Sequence, residues 1–137
     1  MLILAVMLNC LAACMLFLGA AQYTLGSVPA DYHAEILEKE GVELSPHMIG
    51  ILASLYRSLA ATMAALGLMI LVLSLGPVAQ DAVWAQGIVA MAGSLFAAAA
   101  TLGPLAIEGE TGVRTPWRAG LAFGGVIFAG FFLALIG

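Results

Sequence analysis

Charge is what this sequence has least of. Four Lys and Arg and eight Asp and Glu among 137 residues amount to 9% charged, too little polar surface to cover a water-soluble globule of this length. The net charge is -4 and no basic cluster is present, so nucleic acid is excluded as a partner and any anion site must be local. Cysteine is scarce too. Cys10 and Cys14 sit four apart in an apolar run, a helical spacing that holds their side chains too far apart for a disulfide and excludes a secreted disulfide scaffold. With Met7 they place soft sulfur ligands on one side of a helix, a conceivable Cu(I) site, although such side chains more often pack as apolar groups. The two histidines, His33 and His47, lack metal-ligand spacing and read as titrating or surface residues, and no histidine pair suited to haem lies in an apolar stretch. No cofactor is expected.

Hydrophobic side chains, by contrast, make up 64% of the chain, and its mean hydropathy is +1.12. At about 20 apolar residues per crossing, four segments qualify: 2–24, 48–75, 83–102 and 117–136. Nothing alternates with a period of two, and a lone apolar segment in lipid must satisfy its own backbone, so all four are expected to be helices. The fold class is therefore an all-α integral membrane protein. It is a single domain over 1–137, an up-and-down bundle of four transmembrane helices with multi-pass insertion in the lipid bilayer. Ser45-Pro46 and Thr115-Pro116 each set a hydroxyl before a proline suited to a first helical turn, Gly76-Pro77 and Gly103-Pro104 read as stops, and Asp81 is placed to cap the third span. Leu11-Ala12-Ala13-Cys14 matches a lipoprotein cleavage box. No basic residue precedes it and the apolar run continues past Cys14, so the first helix is expected to stay in the mature chain.

The connection 31–45 is acidic, with Tyr32 and Ile36 on one face of a short helix expected to lie at the membrane interface. Short connections put the first and third loops on one side, together with Lys39, Arg57, Arg114 and Arg118. By the positive-inside rule that side is cytoplasmic and both termini are extracytoplasmic. Gly120 and Gly124 form a G-x-x-x-G, and Ala60, Ala64, Gly67, Ala90, Gly93 and Ala97 add small residues, so close helix packing is expected within the chain or in a homo-oligomer.

The candidate site residues gather at the charged end. Arg57 lies eleven positions into a helix starting at Pro46, about 16 Å along it. Counted this way it is well inside the bilayer, where an arginine is costly unless it faces the bundle or snorkels. It is expected to turn into the bundle and meet either a carboxylate, Glu108 first, or a bound polar group. Tyr23, Tyr56, His47, Glu108, Arg114, Trp117 and Arg118 complete a mouth where a lipid headgroup, quinone or small acid could sit. The same residues also suit an interfacial aromatic belt flanked by arginines. Gly112 to Trp117, reading G-x-R-T-P-W, resembles a segment of the SdpI-type bacterial immunity membrane proteins. Over six residues the resemblance implies no role, because a loop that turns sharply into a helix selects the same residues.

Three functions compete. A non-catalytic accessory or scaffold subunit of a larger membrane complex suits a chain with so thin a polar inventory. A binder or transporter of a lipid, quinone or small anionic ligand would use the mouth around Arg57. A membrane-embedded enzyme is the least supported, because no nucleophile-base pair is evident.

Overall fold

Ser45 shows how local chemistry sets the helix boundaries. Its Oγ accepts a hydrogen bond from the Met48 N–H at 3.3 Å, and Pro46 follows at the first helical position, where its missing N–H costs nothing. The computed structural model describes residues 1–136. It contains five α-helices: α1 (Leu2–Leu25), α2 (Asp31–Lys39), α3 (Pro46–Leu75), α4 (Val83–Thr111) and α5 (Trp117–Leu135). A 3₁₀ turn at Val78–Gln80 joins α3 to α4, and no strand occurs among the described residues. All except α2 are long and apolar enough to cross a membrane.

Small residues decide how the long helices meet. A Cβ on Gly67 of α3 would lie 3.3 Å from the Ala13 carbonyl and the Phe17 ring of α1, and one on Gly19 would collide with Met63. Residue numbers rise along α1 as they fall along α3, so the two helices run in opposite directions. The same holds for α4 and α5, where Gly120 faces Ala100 and Thr101, Gly124 faces Ala97, and Gly93 faces Ile127. Gly130 of α5 meets Asn9 and Ala5 of α1, which joins the two pairs. Leu16, Ile70, Val89, Phe123 and Ile127 fill the centre. Toward the end that carries the termini, Asn9 Nδ2 donates to Gln86 Oε1 at 2.8 Å, tying α1 to α4 with both side chains buried.

Three punctuation marks in the sequence act differently from their expected roles. Gly103-Pro104 does not stop α4, which continues to Thr111 and ends at Gly112 in the left-handed region with φ 68°. Pro104 removes the hydrogen bond normally made to the Ala100 carbonyl. Gly120 of α5 packs against that carbonyl so closely that a Cβ on it would lie 2.7 Å from the oxygen. Asp81 does not cap α4; it takes φ 63° to close the 3₁₀ turn, and Ala82 precedes the helix without a side-chain cap. Thr115 does not cap α5 either. Its buried hydroxyl donates to the Pro104 carbonyl at 2.7 Å, binding the turn back onto α4.

Candidate functional site

The end of the molecule that carries the α1–α3 and α4–α5 connections gathers most of the polar side chains, in two separate groups. In the first, α2 docks onto α1 and α3 through aromatic residues. Tyr56, buried on α3, bonds through its hydroxyl to His33 Nδ1 and accepts from the Ala30 N–H at 3.1 Å. The Tyr32 and Tyr23 hydroxyls are 3.3 Å apart, and the Tyr23 ring meets the Tyr56 ring edge-on at 5.4 Å between centroids. Burial pushes the His33 pKa below its usual 6.5, because a half-buried imidazole loses hydration when it charges. Burial and the Tyr23 hydroxyl raise the pKa of Tyr32 well above the ordinary phenol value.

The second group belongs to α4 and α5. Glu108 accepts from the Thr115 N–H at 2.8 Å through Oε2 and from Arg118 at 3.2 Å through Oε1. The Arg118 guanidinium also lies over the Trp117 ring, 4.5 Å from its centroid. The carboxylate thus organises the turn between two helices, with both its oxygens occupied by its own segment.

Arg57 does not meet Glu108, and this corrects the sequence expectation. It is exposed, with no hydrogen bond or ion pair among the described residues. The depth argument fails for a geometric reason. Tyr56 lies against Tyr23, two residues from the end of α1, so residues 46–53 of α3 run on past that end for about 12 Å. Counting from Pro46 therefore overstated how far Arg57 sits from the helix ends. It borders an outward-facing groove of about 530 Å³ between α1 and α3.

The structure therefore divides the expected mouth. Tyr23 and Tyr56 share one group and Glu108, Trp117 and Arg118 the other, with no hydrogen bond between the two among the described residues. His47 and Arg114 are exposed and likewise unbonded. His33 and Tyr32 are the contributors missed as site residues. The signal was their place beside Ile36 on the apolar side of α2, which read as a generic interfacial face. Toward the opposite end, Asn9 Oδ1, Ser74 Oγ and Gln86 Nε2 are buried without partners among the described residues. Met7 and Cys14 face outward, so they do not pack in the core. Among the described residues no three His, Cys, Asp or Glu side chains converge as metal ligands. In comparison with known proteins, the chain matches no family model, no curated protein and no solved structure.

Proposed function

We propose that the chain is a multi-pass integral membrane protein serving as a non-catalytic accessory or scaffold subunit of a membrane assembly. On this reading its four long helices cross the bilayer as an up-and-down bundle, with α2 in the headgroup layer. Lys39, Arg57, Arg114 and Arg118 lie toward one end, which under the positive-inside rule is cytoplasmic. One observation carries the subunit role. Of the four long helices α4 is the least covered by the rest of the chain, with 17% of its most apolar stretch buried against 28% in each of the others. Its outer face presents Trp84, Ile88, Met91, Leu95, Leu102 and Leu105 exposed, with Ala98 continuing the row. They recur at alternating four- and three-residue intervals, the spacing of a helix-to-helix seam, and Gly87 and Ser94 beside the row leave recesses for a partner's side chains.

A photo-crosslinking residue at Leu95 tests this. It should trap protein, whereas one at Leu18, on the outer face of α1, should trap only lipid. Lipid adducts alone at both positions would remove the subunit reading.

The unpaired guanidinium of Arg57 at the edge of a groove favours a second reading, a binder of an anionic or carbonyl-bearing ligand at this end of the molecule.

A further inference from the structure

We propose that the groove between α1 and α3 is a site for one anionic phospholipid, its phosphate on the Arg57 guanidinium and an acyl chain lying along the helix flank. The proposal rests on the second reading above, that Arg57 binds an anion, and specifies the ligand class. The groove is polar at one end only. Arg57 and Thr24 mark that end, while Ala20 and Ala21 of α1 and Ala60, Ala61 and Ala64 of α3 form a shallow apolar floor that Phe17 closes at the other end. A soluble anion would gain nothing from the floor, whereas an amphiphile has charge at one end and hydrocarbon along the rest. The groove opens sideways, with Ala21 and Ala61 both exposed, so a lipid can enter from the bilayer without the helices separating.

Charge points to the anionic class. Arg118 is paired with Glu108 and Lys39 with Glu35, while Arg57 and Arg114 meet no carboxylate among the described residues, and of these two Arg57 borders the groove. A guanidinium free of internal partners offers the two parallel N–H donors that a phosphodiester oxygen pair accepts. The register of Tyr23 against Tyr56 brings Arg57 near the end of α1, where a headgroup lies when the helices span a bilayer.

The test is native mass spectrometry of the full chain released from nanodiscs of equal phosphatidylglycerol and phosphatidylcholine content. The wild type should retain one phosphatidylglycerol in preference to phosphatidylcholine. Arg57→Gln should reduce that preference about fivefold, the effect of one cation near a membrane surface, and Arg57→Lys should restore part of it. Ala61→Leu, filling the floor, should lower retention of both lipids. Equal lipid ratios in wild type and Arg57→Gln would overturn the proposal. A bound quinone or small acid that depends on Arg57 would overturn the lipid assignment and leave the anion reading standing. If Arg57→Gln changes nothing that is bound, both fall. Melting in lipid-free detergent should be the same for wild type and Arg57→Gln; a loss there would make the residue structural and also overturn the proposal.

Discussion

Gly120 and Gly125 are five residues apart on α5 and should respond oppositely to the same substitution. A Cβ at Gly120 would come within 2.7 Å of the Ala100 carbonyl carbon and oxygen, backbone atoms that cannot rotate away, whereas nothing lies within 4 Å of one at Gly125. Gly120→Ala should therefore force α4 and α5 apart and cost about 1–3 kcal/mol, the usual range for overpacking. Gly125→Ala should be neutral or slightly stabilising, because alanine restricts the unfolded chain and favours helix. Unfolding in detergent compares the two directly, and equal losses would show that the close approach at Gly120 is not what holds the pair. Gly130 is a milder case: its Cβ would meet the Asn9 side-chain oxygen, which can move, though at the expense of the hydrogen bond to Gln86.

Among the elements, α2 depends most on a titratable contact. Its side-chain bonds to the long helices run through His33 to Tyr56 and through Tyr32 to Tyr23. Because burial lowers the His33 pKa, the undocked imidazole takes up a proton near 6.5 while the docked one resists until lower pH. Docking is then at full strength above about pH 6.5, weakens as pH falls toward the docked value, and levels off below it. Hydrogen exchange over residues 31–39, corrected for its intrinsic pH dependence, should show protection lost between neutral and mildly acid pH. His33→Gln should flatten that dependence; unchanged protection in the wild type would count against it.

The elements also show what could be read from the chain beforehand. Four long apolar helices and the Ser45-Pro46 start were legible because length, hydropathy and capping are local properties. Gly103-Pro104 was not, because whether a proline ends a helix depends on the packing around it, and here α4 runs on through Pro104 with α5 packed closely beside it at Gly120. Arg57 was misplaced for a similar reason. Its distance from Pro46 is a sequence property, but its height in the molecule is set by which residue of α1 it passes.

For the molecule as a whole, the proposed orientation is open to a direct check. With the α1–α3 connection on the cytoplasmic side, a cysteine placed at Glu38, on a background without Cys10 and Cys14, should resist membrane-impermeant maleimide in intact cells and react after permeabilisation. Labelling in intact cells would invert the topology while leaving the helix packing as described.

The four long helices are unequal: α3 and α4 contain 30 and 29 residues and α5 only 19. At about 1.5 Å per residue, α5 reaches roughly 28 Å while α3 and α4 exceed 40 Å. Embedded in lipid, the shortest member fixes the thickness that all must share, and the surplus of the longer two must emerge on the side where α2 and the α4–α5 turn lie. On the proposed membrane reading, the bundle is in this sense a gauge matched to thin bilayers. In membranes with hydrocarbon cores of about 32–33 Å, α5 would be overdrawn at both ends, and the strain would fall first on the Gly120 and Gly130 contacts that fasten it to its neighbours.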